Sequence, residues 1–374
     1  MGATRILIVD GKMICGGVEA FIMNIYRHVD RGKIQFDFLV HYKDPCFYDK
    51  EIEALGGKIY RLSFRNDHNY FKYIRDLNDF FKMHPEYRVV WGHMDGLARI
   101  YLSVAKKWGR TTIAHSHITS SEHSLKGLVK RILRKNVYRY ADFRFACSSE
   151  AGRYLYGKHE FRLIPNAIDT GRFAYSPETR ERIREENGWG ADELVIGHVG
   201  RFNEQKNHPY LIDIFEQVAH KNPRCRLCLC GDGELREKIR EEVARRGLSD
   251  KVLFKGNIPN VNEYYQAFDV FVLPSLYEGL PVSGIEAQTS GLFCLFADTI
   301  TRETEVVKGN ALFLPIKGHP EVWAEHILSV AGRERQNREP DVIAAGYSIL
   351  HEAKLLEEFL LNQYNEQHNC QASE

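Results

Sequence analysis

A chain of 374 residues with 44% hydrophobic residues is long enough to bury two hydrophobic cores, as in an ordinary globular protein. Its formal net charge of +1 gives no overall field that would attract nucleic acid, and no apolar run approaches the length that spans a bilayer. The eight cysteines are scattered, which is typical of a protein from a reduced, cytoplasmic environment.

Short apolar runs alternate with helical patterns from one end of the chain to the other. The runs of the first half are RILIVD, FDFLV, YRVVWG, TTIAHSH, FRFACSS and FRLIPN. Those of the second half are LVIGHVGR, RLCLCGD, KVLFKG, DVFVLPS, LFCLF and ALFLP. Helical patterns lie between them at 69–83, 124–140, 207–221, 234–246 and 319–332. The alternation predicts an α/β protein with two doubly wound, Rossmann-like parallel sheets.

A segment rich in charge, Gly and Pro separates the two halves. We expect an N-terminal domain at 1–170, a linker at 171–192, a C-terminal domain at 193–345 and a terminal helix at 346–374 that packs back on the first domain. Ligands of doubly wound folds bind beyond the carboxyl ends of the strands, so a cleft between the domains is the expected binding region.

Two adjacent glycines, Gly16 and Gly17, follow the first predicted strand and open a helix. The segment has the position of a phosphate-binding loop, but it lacks the Lys-Ser/Thr of a P-loop and the dinucleotide spacing. It is either a loop that faces a ligand or a tight strand-to-helix turn.

Two histidines, His115 and His117, stand two positions apart at the end of a predicted strand and therefore point the same way. Ligands of such folds bind at the carboxyl ends of the strands, although a single histidine is more often structural. We favour His117 as a site residue because it is nearer the strand end.

Two strand ends of the second half carry groups suited to a diphosphate. Gly200, Arg201 and Lys206 follow its first strand, where the two cations could stabilise a phosphate leaving group or simply form an exposed basic loop. A Gly-Asp-Gly turn that begins at Gly231 ends the next strand, and it either caps a helix or also shapes the pocket.

Two glutamates with seven residues between them, Glu278 and Glu286, flank the turn Gly279, Leu280 and Pro281 after an apolar strand. A strand that enters a helix through a tight turn exposes the first helical amides, which attract phosphate. Carboxylates before and inside the helix can then hold hydroxyl groups on either side of the phosphate.

Two further segments have open interpretations. The cysteines of RCRLCLCG lack a second ligand pair at zinc spacing, so we expect a buried strand and no metal site. The predicted helix 124–140 carries an apolar stripe and six positive charges, which suits either the inner face of an anionic membrane or a solvated basic face.

Taken together, these residues resemble the retaining, GT-B fold glycosyltransferases of family 4. The resemblance is most specific in FKGNIPNVNEYYQAFDVFVLPSLYEGLPVSGIEAQTSG, which contains both glutamates, and it extends to Gly16-Gly17, to Gly200, Arg201 and Lys206, and to PNAID at 165–169. The segment ADTITRETE is similar to sequences of the family's bacterial capsular and exopolysaccharide branch.

The resemblance implies a role for each residue. Glu286 would hold the ribose hydroxyls, Glu278 and the amides of the Gly279 turn would contact the donor sugar and diphosphate, and Arg201 and Lys206 would stabilise the departing phosphate. His117 would lie near the transferred sugar. The acceptor would attack from the face that the nucleotide leaves, without a metal, a cofactor or a carboxylate nucleophile.

The resemblance therefore implies transfer from a nucleotide-sugar donor, in this case a UDP-sugar, to a saccharide acceptor that is lipid-linked. The expected location is cytoplasmic, at the inner membrane face. Two alternatives stay open, namely a nucleotide-sugar epimerase of the same fold and a non-catalytic carbohydrate-binding or scaffold subunit.

Overall fold

The computed structural model of the protein describes residues 2–62, 69–117 and 136–371, with side chains as far as residue 366. The chain forms two compact units. The first unit consists of Met1–Pro165 together with Ile349–Glu374, and the second consists of Asn166–Ser348.

The first unit contains a parallel sheet with helices between its strands. Its strands are β1 Thr4–Val9, β2 Ile34–Val40, β3 Ile59–Arg61, β4 Val89–Gly92, β5 Thr111–Ser116, β6 Phe143–Ala146 and β7 Arg162–Leu163. They pair in the order β3-β2-β1-β4-β5-β6-β7. Its first five described helices are α1 Gly17–His28, α2 Asp49–Ala54, α3 Tyr70–Met83, α4 Ala98–Lys107 and α5 Ser149–Tyr156.

The second unit repeats this architecture. Its strands are β8 Leu194–Val199, β9 Cys225–Cys230, β10 Val252–Gly256, β11 Val270–Leu273, β12 Phe293–Ala297 and β13 Ala311–Leu314, paired in the order β10-β9-β8-β11-β12-β13. Its helices are α6 Thr170–Phe173, α7 Pro177–Glu186, α8 His208–Lys221, α9 Arg236–Arg245, α10 Val261–Ala267, α11 Val282–Thr289, α12 Pro320–Ser329 and α13 Glu339–Ala344. The sequence prediction of two doubly wound parallel sheets is therefore confirmed.

The strands were predictable because helices cover both faces of each parallel sheet. Ile6 to Val9 of β1 are all fully buried, so the strand is a continuous apolar run rather than an alternating one. The cysteines of β9 are likewise buried and act as small apolar side chains.

The last helix, α14 Ile349–Gln371, packs on the first unit. It contacts α1, β1, β4 and β5. The Glu357 carboxylate accepts a hydrogen bond of 2.6 Å from the backbone N–H of Asp30, and the ring of Phe359 lies 5.0 Å from that of Phe143. The helix is thus fixed by both polar and aromatic contacts.

Two segments differ from the prediction. Residues 171–192, expected as a linker, contain α7 and lie wholly within the second unit, where Ser176 caps α7 by accepting from the N–H of Thr179. The helix expected at 124–140 falls mostly outside the described residues. Its end is not α-helical, because Asn136 has a left-handed φ of 66° and Val137–Arg139 form a 3₁₀ turn.

Among the residues described, no helix has the length and apolar character needed to cross a membrane.

Candidate functional site

The ends of β8 and β9 meet backbone to backbone in the second unit. Gly200 follows β8 and Gly231 follows β9, and the Gly200 N–H donates a 3.0 Å hydrogen bond to the carbonyl of Cys230. Gly231 has a φ of 137°, and a Cβ there would lie 2.1 Å from the Gly200 carbonyl oxygen. Only glycine allows both this conformation and this approach, so the predicted glycines bring two loops together.

Lys206 and Glu278 form a largely buried ion pair next to these loops. The Lys206 ammonium lies 2.5 Å from Oε1 of Glu278, and the two side chains are 14% and 9% exposed. Gln205 Nε2 donates to the other carboxylate oxygen at 3.1 Å. Asn203 holds the turn by accepting from the Lys206 N–H at 3.2 Å. The structure thus brings together the cation and the carboxylate that the sequence placed separately.

Arg201 lies on the same loop but has a different partner. Its guanidinium is 3.4 Å from the Glu234 carboxylate, and these side chains are 45% and 60% exposed. Such an exposed pair is worth about 1 kcal/mol or less, so the guanidinium can exchange this partner for a ligand. The described contacts do not join Arg201 to Glu278.

The turn after Glu278 presents the first amides of α11. Pro281 is the N-cap residue and supplies no side-chain hydrogen bond to the helix, and its carbonyl accepts from the Gly284 N–H at 3.0 Å, so the two helical amides before Gly284 are available to an anion. Asn166 Nδ2 donates to the Leu280 carbonyl at 2.7 Å and fixes the turn, while Gly279 and Leu280 are buried.

Glu286 projects from α11 and keeps part of its surface accessible to solvent. Burial raises the pKa of its carboxyl group from 4.5 to about 7, although the hydroxyl of Tyr265 opposes this effect by donating to Oε2 at 2.8 Å. The carboxylate therefore gains its charge close to neutral pH and can accept hydrogen bonds from the hydroxyls of a ligand.

The glycine pair of the first unit stands at the start of α1. Gly16 is the N-cap residue, in an extended conformation and without a side-chain hydrogen bond to the helix, and Gly17 is the first residue of α1. A Cβ on Gly17 would meet nothing within 4 Å, whereas one on Gly16 would lie 2.4 Å from Glu19 Oε2. The backbone conformation does not itself require either glycine. Gly17 leaves open space at the start of α1, whereas Gly16 lies against the Glu19 carboxylate.

The predicted pair His115 and His117 is joined by a third histidine, His93, which follows the neighbouring strand β4. The rings of His115 and His117 are stacked with centroids 4.1 Å apart, and His93 Nδ1 lies 2.9 Å from His117 Nε2. Burial lowers the pKa of His117 to about 3 and moves the pKa of the other two well below 6.5, so all three rings are neutral at pH 7.

Four residues that complete these groups were not identified as site residues from the sequence, namely Gln205, Tyr265, Asn166 and His93. Gln205 lies directly before Lys206 in the loop after a predicted strand, and His93 directly follows another apolar run. Both could therefore have been identified by their position after a predicted strand. Tyr265 and Asn166 reach their partners across 21 and 114 residues, and no local pattern encodes those contacts.

Two family models match the chain. The model of glycosyl transferases group 1 matches residues 179–346, and that of Glycosyltransferase Family 4 matches residues 15–172. The chain is 36% identical over 344 residues to "Putative glycosyltransferase EpsF" of Bacillus subtilis (strain 168), with 90% of each chain covered.

A more limited similarity, 32% identity over 142 residues, relates the chain to the Escherichia coli UDP-Gal:alpha-D-GlcNAc-diphosphoundecaprenol alpha-1,3-galactosyltransferase. It covers 36% of each chain. Among solved structures, Anabaena Alr3699/HepE in complex with UDP and glucose aligns with a TM-score of 0.77 at 18% identity, over 96% of this chain and 99% of that one. This last similarity supports the fold alone.

Proposed function

Because the chain belongs to the group 1 family of glycosyl transferases and is a glycosyltransferase, we propose that it moves a sugar from a UDP-sugar to a saccharide acceptor with retention of anomeric configuration. The observation that carries the proposal is the Lys206–Glu278 pair, 2.5 Å apart beside the uncapped start of α11. A cation, a carboxylate and open amides at one place suit a phosphate ester that bears hydroxyl groups.

In this proposal the donor is held at three places in the second unit. The ribose hydroxyls donate to Glu286, whose charge develops near neutral pH. The diphosphate accepts from the first amides of α11 and from Lys206. Glu278, which also accepts from Lys206 and Gln205, accepts from hydroxyls of the sugar, as the family resemblance implies.

The transfer step needs stabilisation of the leaving diphosphate. The acceptor hydroxyl oxygen forms a bond to the anomeric carbon as the bond from that carbon to the diphosphate oxygen breaks. UDP departs with the electron pair, and the acceptor proton passes to a diphosphate oxygen. Lys206, joined by Arg201 after it leaves Glu234, offsets the charge that develops on that oxygen. The role of His117 towards the transferred sugar stays a prediction.

The donor and acceptor classes rest on similarity together with the sequence. The solved complexes of Alr3699/HepE contain UDP or UDP-glucose, and the E. coli relative is named for UDP-galactose and a diphosphoundecaprenol-linked acceptor. We therefore propose a UDP-sugar donor and a lipid-linked saccharide acceptor in capsular or exopolysaccharide assembly. The relatives' names favour transfer over the epimerase and scaffold alternatives.

The first experiment is a thermal-unfolding screen of the whole chain against UDP-, GDP-, ADP- and TDP-sugars, because a ligand of the folded state stabilises it by mass action. The proposal expects a UDP-sugar to raise the Tm more than the others do. The best donor is then incubated with and without a diphosphoundecaprenol-linked saccharide. Acceptor-dependent release of UDP supports the proposal, whereas an altered free sugar without acceptor indicates an epimerase, and no turnover with any donor indicates a binding subunit.

A peripheral contact with the inner membrane face rests on the basic segment 124–140, which lies outside the described residues as far as residue 135. We propose that it binds anionic lipid, and that the binding weakens as salt screens the charges. Sedimentation with vesicles of phosphatidylcholine alone and with added phosphatidylglycerol tests this. Equal sedimentation with both would contradict it.

A further inference from the structure

The first unit contains a cluster of three buried histidines, His93, His115 and His117. Each offers a ring nitrogen that lies within 4.8 Å of those of the other two. They are 5%, 1% and 9% exposed, in that order. His93 follows β4 and His117 follows β5, and these strands are adjacent in the sheet, so the topology itself brings the rings together.

Several nitrogens of this cluster have no hydrogen-bond partner among the described residues. They are both nitrogens of His115 and Nε2 of His93, and all three are buried. A buried polar group without a partner costs about 1–3 kcal/mol, and native proteins rarely leave such groups unsatisfied. A neutral imidazole carries a lone pair on one of its two nitrogens, so the lone pair of His115 is unsatisfied whichever tautomer is present, which points to a ligand that accepts it.

We propose that His93, His115 and His117 bind a divalent transition-metal ion, with Zn²⁺ as the ion that the ligand set suits best. Neutral imidazole is a preferred ligand of such ions, while Mg²⁺ and Ca²⁺ prefer oxygen. Zn²⁺ lies about 2.0–2.1 Å from each ligating nitrogen, so tetrahedral geometry places the nitrogens roughly 3.4 Å apart. To bind the ion, the 2.9 Å contact between His93 and His117 must lengthen, and ring nitrogens that lie up to 4.8 Å apart must approach one another.

The surroundings of the three histidines suit a buried metal site in which one coordination position is not filled by the protein. Phe21 of α1 covers the cluster, with ring centroids 5.1 Å from His115 and 5.5 Å from His117, and Trp91 stacks on His115 at 5.9 Å. Apolar walls exclude competing solvent and strengthen the bonds to the metal. The three protein ligands leave a fourth position for water.

This site goes beyond the proposed function, because no step of sugar transfer passes through the metal. It would fix the tautomer of His117, since a nitrogen that binds metal cannot carry a proton and the other ring nitrogen then carries it. The proposal therefore concerns the first unit alone, and it stands or falls independently of UDP binding by the second.

The test is titration of the full chain, freed of metal by a chelator, with Zn²⁺ followed by calorimetry and with Co²⁺ followed by visible absorption. The wild type should bind one equivalent of each ion and show the absorption of tetrahedral Co²⁺. His115→Phe keeps an aromatic ring against Trp91 but removes the ligand, so it should bind Zn²⁺ at least about 10-fold more weakly.

His208→Phe is the matched control. His208 is also fully buried and stacks on Phe202 at 4.0 Å. Within the described part of the chain, both of its nitrogens lack partners and it belongs to no group of potential metal ligands. This variant should bind both ions as the wild type does.

Wild-type binding no tighter than that of His115→Phe would overturn the proposal, and so would equal loss in His208→Phe. If His115→Phe does not fold, as judged by near-UV circular dichroism, His93→Gln replaces it with the same expected loss. UDP binding, measured on the same samples, separates failure of the metal site from failure of the proposed function.

Discussion

The Lys206 ammonium lies 2.5 Å from Oε1 of Glu278, and the two residues are 72 positions apart in the sequence. Lys206 belongs to the loop after β8, and Glu278 follows β11, which pairs with β8 in the sheet. The fold therefore holds a cation and a carboxylate at one strand edge before any ligand binds.

Lys206→Ala should lower the rate of sugar transfer by about 100-fold, because the leaving diphosphate loses a preorganised cation. The measurement is kcat for acceptor-dependent release of UDP. Lys221→Ala is the control, since Lys221 is also paired with a glutamate, Glu325, but the pair is 42% and 66% exposed. Equal rates in wild type and Lys206→Ala would exclude Lys206 from the reaction.

Donor affinity should depend on pH through Glu286, whose pKa of about 7 is raised by burial. Only the carboxylate accepts from two ribose hydroxyls, so the affinity for a UDP-sugar should fall as the pH drops below 7. Between pH 8 and pH 5.5 the expected weakening is roughly 30-fold, which is the change in the ionised fraction. The affinity of Glu286→Gln should be lower at pH 8 and nearly constant with pH.

The same group affects the stability of the unliganded protein. Glu286 binds its proton more tightly in the folded than in the unfolded chain, so its contribution to the free energy of unfolding decreases as the pH rises from about 4.5 towards 7. The difference between wild type and Glu286→Gln isolates this contribution. A difference that is constant with pH would contradict the raised pKa.

Tyr265→Phe should move the pH dependence of donor binding to higher pH. The Tyr265 hydroxyl donates to Glu286 at 2.8 Å and so favours the carboxylate. Losing one such bond is worth on the order of 1 kcal/mol, or somewhat less than one pKa unit. Tyr210→Phe, which removes an exposed bond to the Gly318 carbonyl, should leave the midpoint unchanged. A midpoint that stays near 7 in Tyr265→Phe would show that this bond does not control the carboxyl group.

Gly231→Ala should weaken donor binding as well as stability, because its Cβ would lie 2.1 Å from the Gly200 carbonyl oxygen and displace the loop that leads to Lys206. Gly247→Ala is the matched control, since Gly247 also has a positive φ, of 69°, but meets nothing within 4 Å. It should cost about 1–2 kcal/mol of stability and leave UDP affinity unchanged. Equal UDP affinity in both variants would mean that the contact of the two loops does not shape the site.

The sequence predicted the fold class and the family, and both are confirmed. The fold class was predictable because buried parallel strands are continuous apolar runs, and the family was predictable because the two glutamates and their turn lie within one short stretch of sequence. It did not predict β3, which has three residues, or α7, whose polar residues resemble a linker. The partners within the site, such as Gln205 on Glu278 and Tyr265 on Glu286, were not predictable either. Such contacts depend on which strands become neighbours, and that is a property of the whole sheet.

Calorimetric titration of UDP into wild type and Glu286→Ala at pH 8 tests whether the second unit holds a UDP-sugar through Glu286 and the Lys206–Glu278 pair. We expect wild-type binding with one site and at least about 10-fold weaker binding in the variant, since one good pair of hydrogen bonds to a charged group is worth 1.4 kcal/mol or more. Unchanged UDP affinity in a folded Glu286→Ala would show that Glu286 does not hold the ribose.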